Sequence, residues 1–332
     1  MGDSMKLRFA ITFGLGVACT AGLLAAPANA DITCDDLTVT LSQLEAGCAV
    51  DVGDVIDANG ALYTVPNVEE SVTSSEIVED GTPRSESVVV SNTSEGVAVA
   101  VGRVWTGSTG AVTQAKSVET RQAVAAAAAQ AADQEAANSS DLALKVSCER
   151  TRKFKGYEWP ATSVNWRYND DNSKATYAYD AIKAGANKWR GTVSACGTTE
   201  NLSSSNTPLG STGSRPAVRT TKGCADRDSK NVVGWGSYEK AGVLARTCVW
   251  SRYGSALETD MKFNVSHAWS STASCSGSRF DVQGIATHEW GHVFGLEDLE
   301  NTNLVMEGSS GYCETSQRSL GLGDVLGIGY LY

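Results

Sequence analysis

Short valine-rich runs broken by turn residues fill the first third of the chain. Ala61–Val65 (ALYTV), Ser87–Ser91 (SVVVS) and Val97–Val104 (VAVAVGRV) have strand length and strand composition. Asp57-Ala58-Asn59-Gly60 and Glu79-Asp80-Gly81-Thr82-Pro83 supply the turns between such strands. The pattern then dissolves into RQAVAAAAAQAADQEAANSS, Arg121 to Ser140. Its alanines favour helix, yet it has no apolar stripe to bury, so a helical or frayed linker is expected over 121–140.

From residue 141 the texture is mixed. Ser163–Tyr168 (SVNWRY) is expected to be a strand. In YAYDAIKAGANKWRG, Ala178, Ala181, Ile182, Gly185 and Trp189 share one helical face, and the helix should end near Gly191. Asn231–Trp235, Leu244–Trp250 and Met261–Val265 are further strand candidates. DVQGIATHEWGHVFG is expected to be a helix ending at Gly295, and a last helix should start at Asp324 as its N-cap. The pattern as a whole predicts an α+β fold with a small β-rich region in front of it.

The N-terminus changes how the rest is read. Lys6 and Arg8 precede an apolar run, Phe9 to Ala26, and then Ala28-Asn29-Ala30. That is the layout of a secretory signal peptide over 1–30. Export makes the cysteines beyond the leader disulfide candidates: Cys34, Cys48, Cys148, Cys196, Cys224, Cys248, Cys275 and Cys313. No CxxC pair argues for a thiolate metal cluster. Cys34–Cys48 would close a local loop, and Cys275–Cys313 would bracket the helix at 288–292. No stable membrane association is expected after the leader is removed. The formal net charge is −11. Residues 31–147 carry 18 acidic and five basic side chains, whereas the remainder is near neutral. No basic block points to nucleic acid. The acidic stretch 31–120 is expected to be a propeptide, the linker its place of removal, and 141–332 the functional domain.

The chemistry concentrates in HEWGHVFGLED, residues 288–298. His288 and His292 are four apart, so both imidazoles leave one helix face and can reach one metal ion. Glu289 sits beside the first of them, where its carboxylate can act as a general base without being a ligand. Gly295 can take the left-handed conformation that turns the chain back and offers Asp298 as third ligand. Glu297, Glu300 and Glu314 are the rival third ligands. Met306 follows at a distance suited to a turn beneath the metal. Tyr312 is a candidate substrate or oxyanion contact, with ordinary half-burial as its plain reading. His267, outside the motif, is expected to be structural. Asp170 and Asp171 offer carboxylates to calcium, although a solvated turn is the simpler expectation. Two imidazoles and one carboxylate leave a zinc site less positive than three imidazoles do, so a higher pH optimum is expected.

HEWGHVFGLED, LVMEG and LGLGDVLGIGYLY together resemble the metzincin metallopeptidases, specifically bacterial matrixin-like ones. SVNWRY with its following helix and ETDMKFN (Glu258–Asn264) fit the same resemblance, which covers roughly 150–332. The usual third histidine is replaced by Asp298. In that position the motif is similar to the HExxHxxGxxD of snapalysin-like peptidases. The resemblance implies a mixed twisted sheet, a zinc helix, a methionine turn and a C-terminal helix that Asp324 ties to that turn. It also implies one catalytic zinc ion, protein or peptide substrates and a secreted endopeptidase. The matrixin cysteine-switch motif PRCGxPD is absent, since Pro83-Arg84 is followed by Ser85. The competing expectation is a non-catalytic secreted protein that keeps the fold for metal binding or interaction.

Overall fold

The computed structural model describes residues 38–118, 148–160 and 163–332. The expected signal peptide, Cys34 and the alanine-rich linker lie outside them.

The chain first builds β1 (Thr38–Thr40), α1 (Leu41–Glu45), β2 (Val55–Ala58) and β3 (Ala61–Thr64), with the strands forming a small sheet in that order. Thr40 caps α1 by accepting the Gln43 N–H. The expected turn joins β2 to β3: Asn59 and Gly60 both have positive φ, and Gly60 N–H donates to the Asp57 carboxylate. Next come β4 (Glu70–Glu79), β5 (Val88–Thr93), β6 (Gly96–Val101), β7 (Val104–Gly107) and α2 (109–118). The run Val97–Val104, expected as one strand, is two, because the chain reverses at Gly102 with φ 57°.

The second part contributes β8 (Ser163–Tyr168), α3 (Ala178–Ala186), β9 (Gly191–Ala195), β10 (Thr198–Leu202), β11 (Ser205–Ser211), β12 (Val232–Gly236), β13 (Val243–Arg252) and β14 (Ser255–Asn264). It closes with β15 (Trp269–Ser270), β16 (Phe280–Asp281), α4 (Val282–Val293), β17 (Ser309–Ser310) and α5 (Leu322–Leu331). The helical face foreseen for α3 is the buried one: Ala178, Ala181, Ile182, Gly185 and, in the 3-10 turn that follows, Trp189. Asp281 caps α4 by accepting the Gly284 N–H at 2.8 Å. Asp324 is not the N-cap of α5, as the sequence suggested. Gly321 holds that place, and Asp324 sits three residues on, accepting the Gly321 N–H at 2.8 Å.

A ten-stranded mixed sheet organises the protein, in the order β11-β8-β12-β14-β13-β4-β5-β6-β7, with β17 on β4. The architecture is mixed α and β. The β-rich region that precedes the second part in sequence continues its sheet in space: β4 pairs antiparallel with β13 from Glu70–Arg252 to Val78–Val243. The described residues form one compact unit. One face of the sheet packs α3 and α4 through Trp166, Ile182, Trp189, Phe263 and Trp290. The other joins Ile56, Tyr63 and Val65 of the small sheet to Val72, Val243 and Trp250. Disulfides Cys148–Cys196, Cys224–Cys248 and Cys275–Cys313 tie the loops, the last bracketing α4 as expected.

Candidate metal centre

Helix α4 carries His288, Glu289 and His292 into the interior, where all three are 0% exposed. Its placement depends on small residues. A Cβ on Gly185 would press on Ala286 and the Thr287 backbone, so α3 and α4 meet there at backbone distance. Trp189 Nε1 donates to Thr287 O at 2.7 Å and fixes the crossing. A Cβ on Gly291 would collide with Met306 Sδ. Met306 therefore packs directly beneath the helix, between the turns that carry the two histidines.

After α4 the chain turns at Gly295, with φ 97°. A side chain there would be strained and would also collide with Tyr157 O. The turn is braced from outside: Lys155 N–H donates to Gly295 O and Glu297 N–H to Lys153 O. Leu299 N–H then bonds Met306 O at 2.8 Å, which ties the returning chain to the methionine segment. Asp298 is brought back to the histidines by these contacts. Its Oδ1 lies 3.3 Å from both His288 Nε2 and His292 Nε2. The three ligand-type atoms fall within 4.8 Å of one another. Glu300 instead pairs with Arg84, and Glu314 is exposed and accepts the Ser316 N–H. His267 lies against Phe280, with Nε2 3.2 Å from Val243 O.

The polar atoms of the cluster are arranged as a ligand set. Val305 O lies 2.9 Å from His288 Nδ1, and Leu296 O 2.9 Å from His292 Nδ1. A carbonyl accepts only, so each Nδ1 carries the proton and each Nε2 presents a lone pair. His288 Nε2, His292 Nε2, Asp298 Oδ1 and Glu289 Oε1 are buried with no hydrogen-bond partner. Such orphans are costly unless something else engages them. Burial pushes the Glu289 carboxyl up, partly offset by Thr247, whose Oγ1 donates to Glu289 Oε2 at 2.5 Å.

Asp324 reaches the same region from α5. Its carboxylate accepts Val305 N–H at 2.9 Å and Met306 N–H at 3.4 Å, so the last helix is tied to the methionine segment. Burial, only partly offset by those N–H groups, raises its pKa to about 6. Tyr312 is 53% exposed, packs its ring at a tilt against Phe280 and bonds the Glu79 carboxylate. Sequence reasoning missed two participants. Thr247 comes from β13, and Arg84 comes from the N-terminal region, with Nη1 3.0 Å from Leu299 O and 4.0 Å from Asp298 Oδ1. No spacing in the chain links either residue to 288–298.

No curated protein matches the chain. Residues 232–332, from β12 through α4, Asp298 and Met306 to the C-terminus, match the family model Peptidase_M10, Matrixin, and this part of the chain is similar to a family of zinc metalloendopeptidases.

Proposed function

We propose that the protein is a secreted zinc endopeptidase with a snapalysin-like ligand set, His288, His292 and Asp298, on a matrixin-like scaffold. The observation that carries this reading is the buried trio of unpartnered Nε2, Nε2 and Oδ1 atoms converging on one point. Two imidazole nitrogens and one carboxylate oxygen suit zinc and leave a fourth position open. A zinc ion bound there supplies Lewis acidity toward water and the scissile carbonyl.

The chain's own groups do the rest. Glu289 Oε1 has no partner, so it takes the proton of the attacking water and passes it to the leaving amine nitrogen. Thr247 holds Oε2 and so orients the free oxygen. The carbonyls of Val305 and Leu296 keep both imidazoles turned with Nε2 inward. Gly295 makes the turn that delivers Asp298, while Met306 and Asp324 fix the floor. Tyr312 is the candidate contact to substrate. The assignment of 1–30 as signal peptide, 31–120 as propeptide, 121–140 as linker and 141–332 as the peptidase belongs to the same reading. Disulfides accord with export, and among the described residues no helix is long and apolar enough to cross a membrane.

The test is cleavage of a general protein substrate by processed, zinc-loaded protein, with and without chelator and with Glu289→Ala. Expected is chelator-sensitive cleavage that falls about 10²–10⁴-fold in the variant. Equal cleavage by Glu289→Ala, or none by zinc-loaded protein freed of residues 31–120, overturns the reading. Zinc content in Asp298→Ala checks the third ligand, and unchanged content would reassign it.

A further inference from the structure

The site is covered by the chain itself. Strand β4 lies beside β13 and passes close to α4, and its second half, Ser75–Glu79, lies in a slot. On one side is β13, paired antiparallel at Ser75–Thr247 and Ile77–Ala245. On the other is β17, paired parallel at Val78–Ser309 and Glu79–Ser310. Backbone bonds fill both edges: Val78 N–H to Gly308 O at 3.1 Å, Glu79 N–H to Gly242 O at 2.8 Å and Asp80 N–H to Ser310 O at 3.1 Å. Paired residues share a sheet face, so Ser75 and Ile77 point the way Thr247 does, toward Glu289. Ile77 is 0% exposed and belongs to the same core as Trp290. Glu76, on the opposite face, is held by Arg246 and Lys240.

The chain then turns at Glu79–Thr82 and crosses the other end of the site. Arg84 donates to Leu299 O, pairs with Glu300 at 2.8 Å and stands 4.0 Å from Asp298. Gly308 leaves the space its guanidinium occupies, since a Cβ there would overlap Nη1. An extended peptide gains affinity by adding a strand to a free sheet edge. Here the edge nearest the metal ligands is already taken by a strand of the same chain.

We infer that Ser75–Arg84 is a built-in plug, occupying in an extended peptide's conformation the slot above the candidate centre, and that severing the chain between 118 and 148 does not by itself remove it. This rests on the endopeptidase reading for its consequence, but not for its geometry. The plug is held by the β13 ladder, by Ile77, by the Glu76–Arg246 pair and by Arg84, none of which depends on the covalent link. Ile56, Tyr63 and Val72 also share a core with Val243 and Trp250, so the N-terminal part stays docked after a cut. Opening requires β4 to leave β13.

The test uses the full chain with a specific protease site placed within 121–140. Hydrogen exchange of the Val243–Arg252 amides, gel filtration and protein cleavage are followed before and after the cut. Expected for the wild type is one co-eluting particle, protected β13 amides and cleavage at background in both states. In the severed chain carrying Ile77→Ser and Arg84→Ala, faster exchange at β13 and at least about tenfold more Glu289-dependent cleavage are expected. Full cleavage by severed wild type with both pieces still bound overturns the plug, as do unprotected β13 amides in the intact chain. If the double variant does not fold, the severed wild type decides by itself. Faster β13 exchange in the variant without any Glu289-dependent cleavage supports the plug and overturns the peptidase reading.

Discussion

Two buried polar clusters lie on the two sides of the β4–β13 pair, and they are built on opposite principles. On one side the carboxylates of Glu70 and Glu76 are saturated. Glu70 accepts from Asn67, Arg227 and Arg252, and Glu76 from Ser85, Lys240 and Arg246. Every oxygen meets a donor, and the charges offset one another. On the other side, two Nε2 lone pairs and a carboxylate oxygen face one another with no donor between them. The first cluster is complete in the protein. The second leaves its facing atoms without a hydrogen-bond partner in the protein. Burial alone therefore does not distinguish structural from chemical polar groups, whereas the donor count does.

That contrast is breakable. The largest effect is expected in the saturated cluster. Glu76→Ala leaves Arg246 buried without its carboxylate and should cost about 3–5 kcal/mol in chemical denaturation. A loss near zero would mean water replaces the carboxylate. Next comes the incomplete cluster: zinc at a hundredfold excess over its Kd should stabilise metal-stripped protein by about 2.7 kcal/mol, and His292→Ala should abolish that gain. Equal stabilisation of the variant would put the zinc elsewhere. A smaller loss, about 1–3 kcal/mol, is expected for Asp324→Ala, which strips partners from Val305 N–H and Met306 N–H. Calorimetry that finds no change would remove Asp324 from the site's support.

The mildest prediction concerns pH. Burial raises the Glu76 carboxyl, but Arg246, the Ser85 N–H and Lys240 outweigh it and hold its pKa below the ordinary 4.5. The folded state thus binds this proton less readily than the unfolded chain. The pair's stabilisation is complete above pH 4.5 and is lost as pH falls through the folded value. The stability gap between wild type and Glu76→Gln should narrow on acidification below that point. A gap that is constant in pH would show that the pair contributes no linked proton.

Much of the fold on the α4 side was legible in the chain. The stripe Ala178–Trp189 marked α3, SVNWRY marked β8, and Asp57–Gly60 marked the first hairpin, because each obeys a local period or turn rule. The strand that matters most to access, β4, was not. ESVTSSEIVE buries Val72, Ile77 and Val78, but five of its other buried positions are serine, threonine or glutamate. Their partners, Tyr63, Arg246 and Arg227, lie elsewhere in the chain, and a polar residue looks exposed until its partner is known. Asp324 was read as a cap at the wrong position because its carboxylate serves both the helix start and the methionine segment.

The sequence by itself determined the candidate ligand types and their spacing: two histidines one helical turn apart, a glutamate beside the first, a glycine to turn the chain and an aspartate after it. Those are local facts, set by helix geometry and by the conformational freedom of Gly295. Only the tertiary structure decided that Asp298, and neither Glu300 nor Glu314, returns to the histidines. It also decided that Thr247 holds Glu289, that Ser75–Glu79 lies between β13 and β17, and that Arg84 meets Leu299. The contacts behind them, from Lys153 and Lys155 to the Gly295 turn, from Thr247 to Glu289 and from β4 to β13, join segments tens to hundreds of residues apart. The packing of a sheet decides which distant residues meet, and no periodicity along the chain records it.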